Sequence, residues 1–69
     1  MPKTTPMTDP RPFADVLRDW LSRMRLTMDA GAYLLGVTTR SLYRWRDGQE
    51  TAHHRAYRAL MTLIEEGRA

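Results

Sequence analysis

The stretch from Leu26 to Gly48, LTMDAGAYLLGVTTRSLYRWRDG, decides how this chain folds. It contains two short helical patterns that meet at Gly36. Thr27 is a suitable N-cap for the first helix, and Gly36 ends it because glycine adopts a left-handed conformation at little cost. Thr38 is a suitable N-cap for the second helix, which is predicted to run to about Asp47. The stretch therefore predicts two consecutive helices joined by a tight turn, the arrangement of a helix-turn-helix.

Amphipathic patterns on both sides of this stretch predict two further helices. The first runs from about Pro12 to about Arg25, and its apolar residues recur at helical spacing: Phe13, Val16, Leu17, Trp20, Leu21 and Met24. The last is expected to begin with Thr51 as its cap and to end at Gly67. Its inner stripe is predicted to contain Ala56, Leu60, Leu63 and Ile64.

Length and composition are consistent with one small helical domain. A chain of 69 residues without cysteine has neither disulfides nor thiolate metal sites, and it buries only roughly 60% of its unfolded surface. No segment alternates as a strand would. We therefore predict an all-α domain of about four helices over residues 12–69. An apolar run of the ~18 residues that span a bilayer is absent and no signal-peptide pattern opens the chain, so the expectation is a soluble, intracellular protein.

Residues 1–11 are predicted to form a flexible N-terminal arm. They carry three of the four prolines and no periodic apolar pattern. Two interpretations stay open. The arm is either a disordered leader, or a segment that reaches a DNA backbone or minor groove through Lys3 and Arg11.

Basic residues outnumber acidic ones, and almost all of them are arginine. The net charge is +3, and the eleven basic residues comprise Lys3 and ten arginines. The planar guanidinium suits phosphates and the edge of guanine. A GC-rich genome also produces arginine-rich proteins. Only the placement of the arginines therefore distinguishes binding to nucleic acid from genome composition as the explanation.

The segment from Thr27 to Gly48 resembles the helix-turn-helix of the phage repressor family, which includes the Cro-like and Xre-like regulators. The features that match are a small residue in the first helix, glycine and an apolar residue at the turn, and two large apolar residues in the second helix: Ala32, Gly36, Val37, Leu42 and Trp45. The ending RWRDG is similar to the tryptophan-x-x-glycine close of that family. One departure is Met28, which stands where the family often has a phosphate-bracing glutamine.

The resemblance implies double-stranded DNA as the partner, with the second helix in the major groove and no cofactor. It places the start of that helix against base edges, where Thr39, Arg40 and Tyr43 are the expected readers. Arg44 is expected to contact a base or a phosphate. The remaining expected contacts lie at the helix starts and the rim: Thr27, Thr38 and Arg46. The alternative is a solvated polar face with Tyr43 packed sideways.

A homodimer on a palindromic operator is expected, because one short recognition helix reads few base pairs. The last helix carries more apolar surface than a small core needs, which favours a subunit contact through Tyr57, Met61 and Ile64. The alternative is their partial burial against the first helix.

Catalysis and metal binding are not predicted. The adjacent His53 and His54 point about 100° apart on a helix and cannot hold one ion together. No catalytic relay and no glycine-rich phosphate loop is present.

These observations predict a small dimeric repressor that binds a promoter, similar to phage autorepressors and to antitoxin-type or anti-CRISPR-associated regulators. A second hypothesis is an excisionase or AlpA-like DNA-binding factor, whose helix-turn-helix is followed by a β-hairpin. A third hypothesis is a protein-interaction module on the same scaffold, since fold alone does not establish function.

Overall fold

The computed structural model of the chain describes residues 4–49 and 51–68, so Lys3 lies outside the described residues. The helices are α1 (Phe13–Met24), α2 (Met28–Leu35), α3 (Thr39–Arg46) and α4 (His54–Arg68). None of the described residues is in a strand, and the predicted all-α fold is confirmed. Over the same residues, no helix combines the length and the apolar character that crossing a bilayer requires.

Helix α1 supplies most of the core. Its predicted apolar stripe is confirmed, since five of its residues are buried: Phe13, Val16, Leu17, Trp20 and Leu21. The helix ends at Arg25, which has a φ of 55° and donates its backbone N–H to the carbonyls of Leu21 and Ser22. The chain then turns back so that α2 and α3 can pack on the apolar stripe.

The predicted caps of α2 and α3 are confirmed. The Thr27 hydroxyl accepts the N–H of Ala30 at 3.1 Å, and the Thr38 hydroxyl accepts the N–H of Ser41 at 3.1 Å. Gly36 ends α2 with a φ of 71°. These contacts satisfy N–H groups that the first turn of a helix otherwise leaves unpaired, and they fix where each helix begins.

Gly31 lets α2 approach its neighbours closely. A Cβ at this position would lie 2.5 Å from Cδ2 of Leu21 and 3.3 Å from Cδ2 of Leu42. The neighbours that come close to Gly31 are therefore two core side chains. Leu42 itself is completely buried and anchors α3 to the core.

Trp45 packs inward as predicted, in an aromatic cluster between α1, α3 and α4. It is partly buried, with its ring centroid 5.9 Å from that of Phe13 and 4.7 Å from that of Tyr57. This cluster holds the end of α3 against the other two helices.

Helix α4 differs from its prediction in both its start and its buried face. It begins at His54, because the Thr51 hydroxyl accepts the N–H of His53 in a turn that precedes the helix. It continues through Gly67 to Arg68. Of the predicted inner stripe, Ala56 is exposed and Leu63 is 65% exposed. The helix is therefore rotated by about one residue, roughly 100°, from the predicted orientation.

This rotation corrects the predicted subunit contact. Met61 is completely buried, so it is a core residue and presents no surface to a second chain. Tyr57 and Ile64 are partly buried against the same core. Both keep part of their surface exposed, so a subunit contact through Tyr57 and Ile64 stays a prediction.

The N-terminal segment is packed on α4, in contrast to the predicted flexible arm. The Arg58 guanidinium is buried and donates to the carbonyls of Pro6, Asp9 and Arg11 at 3.2, 2.7 and 2.8 Å. The Met7 N–H donates to the Thr62 hydroxyl at 3.0 Å. We call the contact of Arg58 with these carbonyls the N-terminal clasp. Proline-rich sequence gave no signal of it, because its partners are backbone carbonyls.

Candidate nucleic-acid interface

The side of α3 that faces away from the core carries most of the predicted site residues. Thr38, Arg40, Tyr43 and Arg44 are exposed, and Tyr43 is 43% exposed. We call these residues the α3 outer face. Leu42 and Trp45, on the opposite side, hold the helix to the core, so the outer face is displayed on a fixed element.

Tyr43 lies beside Arg46 on the surface. The Arg46 guanidinium is 4.7 Å from the centre of the Tyr43 ring, and it also lies 3.7 Å from an Asp47 oxygen. A cation over an aromatic ring is attracted to its face. This contact covers part of one face of the ring, and the Tyr43 side chain otherwise remains exposed.

Thr39 is partly buried and is engaged inside the protein. Its hydroxyl donates to Oδ1 of Asp29 at 3.0 Å, which joins the start of α3 to the first turn of α2. The hydroxyl of Thr38 is also in use, as a cap and as a donor to the Ser41 hydroxyl at 3.0 Å. Both threonines therefore position α3, and their hydroxyls are less available to a ligand than the pattern of polar residues suggested.

Arg40 and Arg44 differ from the two arginines of α1, both of which are paired with carboxylates. Arg18 pairs with Asp15, and Arg23 pairs with Glu65 at 2.9 Å. Within the part of the chain that the structure describes, no carboxylate lies within 4 Å of Arg40 or Arg44. The α3 outer face consequently presents two guanidinium groups one helical turn apart with no described counter-charge.

The corner where α2 begins contains further basic residues. Thr27 is exposed and Met28 is partly buried against the core, so the phosphate-bracing side chain of the phage repressor family has no equivalent at Met28. A groove beside this corner is lined by Arg18, Arg25 and Arg46.

Sequence reasoning assigned no role to Arg18 or Arg25. Part of the signal was present in the spacing, because Arg18 and Ser22 are four residues apart and share one side of α1, and Arg25 follows at the end of that helix.

Histidines contribute no metal site in the described part of the chain. Residues 4–49 and 51–68 contain no group of three or more side chains that could hold an ion. His54 instead packs near Phe13, with ring centres 6.5 Å apart.

Comparisons with protein-family models, with curated proteins and with solved structures find no match to this chain. What is established is an all-α protein of four helices over the described residues. The resemblance to phage repressors stays a prediction that rests on the residues themselves.

Proposed function

We propose that this protein is a sequence-specific regulator that binds double-stranded DNA with α3 in the major groove. The observation that supports the proposal is the α3 outer face, with Arg40 and Arg44 exposed on a helix fixed by Leu42. Guanidinium groups donate two parallel hydrogen bonds to the O6 and N7 atoms of guanine.

The dimensions of α3 suit this role. An α-helix with its side chains is about 10–12 Å across, which fits the major groove, about 12 Å wide, and the eight residues of α3 extend about 12 Å along it. Arg40 and Arg44 are one turn apart and Tyr43 lies beside them, so all three can face one short run of base pairs. Because the Thr39 hydroxyl is bonded to Asp29, we expect Thr39 to contribute its methyl group, which suits the thymine methyl.

A dimer that represses transcription is part of the proposal. One short helix reads few base pairs, and two copies on a palindrome with half-sites about 10 base pairs apart supply the missing selectivity. A regulator bound across a promoter excludes polymerase. Because Met61 is buried, it is not part of the surface that would join two copies.

The excisionase-like alternative predicts a strand pair after Gly48. Among residues 49 and 51–68, which the structure describes, none is in a strand, and α4 begins at His54. Binding by a protein-interaction module would not depend on the charges of Arg40 and Arg44, whereas binding to DNA would. The experiment described next therefore separates these two functions.

The test is selection from a pool of randomised duplexes, followed by binding titrations at several salt concentrations. Wild type is compared with Arg40→Ala and Arg44→Ala. Arg55→Ala is the control, because Arg55 is exposed and lies beside Met7 and Asp9, away from α3. It removes the same charge from another surface.

We expect an enriched sequence that wild type binds with steep salt dependence. Arg40→Ala should weaken binding to that sequence by about tenfold to a hundredfold and relax the base preference, since a bidentate arginine–guanine contact contributes about 1–3 kcal/mol of discrimination. Arg55→Ala should retain the preference. No enrichment, or equal binding by all four proteins, would contradict the proposal and direct attention to a protein partner.

A further inference from the structure

A groove on one side of the molecule brings together arginines from three parts of the chain. Arg18 comes from α1, Arg25 from the connection to α2, and Arg46 from the last position of α3. The hydroxyl-bearing residues Ser22 and Thr27 also line it, and no acidic residue is among the described residues that do. We call this surface the basic groove.

The three arginines are neutralised to different degrees. Arg18 pairs with Asp15 and Arg46 lies 3.7 Å from Asp47. For Arg25, no carboxylate within 4 Å is found in residues 4–49 and 51–68. Neither Asp15 nor Asp47 lines the groove, and Arg25 contributes a guanidinium with no described counter-charge.

The backbone at Arg25 does not favour arginine. Its φ of 55° places it in the left-handed region, where glycine and asparagine are the usual residues, and it is the one non-glycine residue of the described chain with positive φ. Its side chain is exposed. Folding therefore needs the left-handed turn at this position but gains little from the guanidinium, which is available to a ligand.

We infer that the basic groove binds phosphates of the DNA backbone beside the major groove that α3 enters. The inference rests on the proposed function and extends it to a second surface. Guanidinium and hydroxyl groups are the usual donors to phosphate oxygens. Arg46 belongs to α3 itself. The major groove is bordered by the two phosphate backbones, so a helix that lies in it has phosphates on both sides, and one row of them lies within reach of the basic groove.

The experiment compares wild type with Arg25→Gly and Arg18→Ala on the selected duplex and on an unrelated duplex. Arg25→Gly suits the left-handed backbone, so its melting temperature should equal or exceed that of wild type. Loss of one phosphate contact should lower affinity by about eightfold at 0.1 M salt on both duplexes and reduce the slope of log K against log salt by about 0.9. The base preference should not change.

Arg25→Lys and Arg55→Gly complete the design. Arg25→Lys keeps the charge and should retain most of the affinity and the salt slope, whereas Arg55→Gly removes a charge outside the groove and should change neither. Unchanged affinity and slope in both Arg25→Gly and Arg18→Ala would overturn the inference. If Arg40→Ala still relaxed the base preference in that case, the proposed function would stand. Failure of wild type to prefer any duplex would overturn both.

Discussion

Asp9 ties the N-terminal segment to the rest of the molecule through a charged hydrogen bond. The Arg11 guanidinium donates to its carboxylate at 2.7 Å, and this bond lowers the pKa of Asp9 from 3.8 to about 2. The same bond, followed by a second one to Asp19 on α1, raises the pKa of Arg11. The Asp9 side chain is 8% exposed, but that of Arg11 is 47% exposed, so solvent still screens the interaction in part.

The stability of the protein should fall in acid because of Asp9. Its pKa is about 2 in the folded chain, below the ordinary aspartate value of 3.8 that applies to the unfolded chain. The unfolded chain therefore binds more protons between these values, and the contribution is complete above about pH 4 and lost as the pH falls to about 2. Urea unfolding followed by circular dichroism from pH 7 to pH 2 measures this.

Asp9→Asn should be less stable than wild type at pH 7 and should show a flatter loss of stability below pH 4. Asp47→Asn is the matched control, since the Asp47 side chain is 72% exposed. Identical acid profiles for Asp9→Asn and wild type would contradict the role given to Asp9.

The threonine caps fix α2 and α3 as elements. Each accepts one N–H of its first turn, and the resulting helix starts are those that the sequence predicts. Such short helices are not stable alone, so their ends matter to the fold as much as their apolar contacts do. A substitution at a cap should therefore destabilise the helix that carries Arg40 and Arg44 without changing either arginine.

Thr38→Ala should lower the free energy of unfolding by about 1 kcal/mol, because the N–H of Ser41 loses its acceptor. Thr38→Ser keeps the hydroxyl and should be close to wild type. Chemical unfolding of the two variants measures the difference. Equal stability of the alanine and serine variants would show that the cap contributes nothing.

Helix α4 shows where prediction from sequence stops. In α1 the buried face is apolar, so its spacing alone identifies it. In α4 the buried face includes Arg58, which lies inside because carbonyls of the N-terminal segment accept hydrogen bonds from its guanidinium. A pattern of apolar residues gives no indication of such partners, and it assigned Leu63 to the interior and Met61 to the surface. The α3 outer face was predictable from the sequence because the residues on the inner side of α3 are apolar. The hydrogen bond from Thr39 to Asp29 and the basic groove were not predictable, since both depend on how separate helices meet.

The N-terminal clasp joins the two ends of the described chain. Arg58 is 8% exposed and its three carbonyl partners lie in residues 6–11. A buried guanidinium is costly unless its donors are paired. The segment accepts hydrogen bonds from Nη1 and Nη2 of Arg58, whereas the buried Nε has no partner among the described residues, so the arginine depends on the segment. The side chain of Arg58 thus connects α4 with the N-terminal segment.

Arg58→Met should reduce the free energy of unfolding by about 2–4 kcal/mol, because it keeps the bulk of the side chain and removes bonds from a charged donor. Hydrogen exchange at the Asp9 amide, which donates to the Thr5 carbonyl, should become faster. Arg55→Met, on the exposed side of α4, should change stability by less than about 0.5 kcal/mol. Equal losses from both variants would contradict the importance of the clasp.

The clasp also has a consequence for the rates of folding and unfolding. Its bonds connect residues 47 to 52 positions apart, so they close long loops and are expected to form after the more local contacts among α1, α2 and α3. Interactions that are absent from the transition state leave the folding rate nearly unchanged and slow unfolding. The N-terminal segment would then determine the lifetime of the folded molecule, while α1 to α3 determine how quickly it forms.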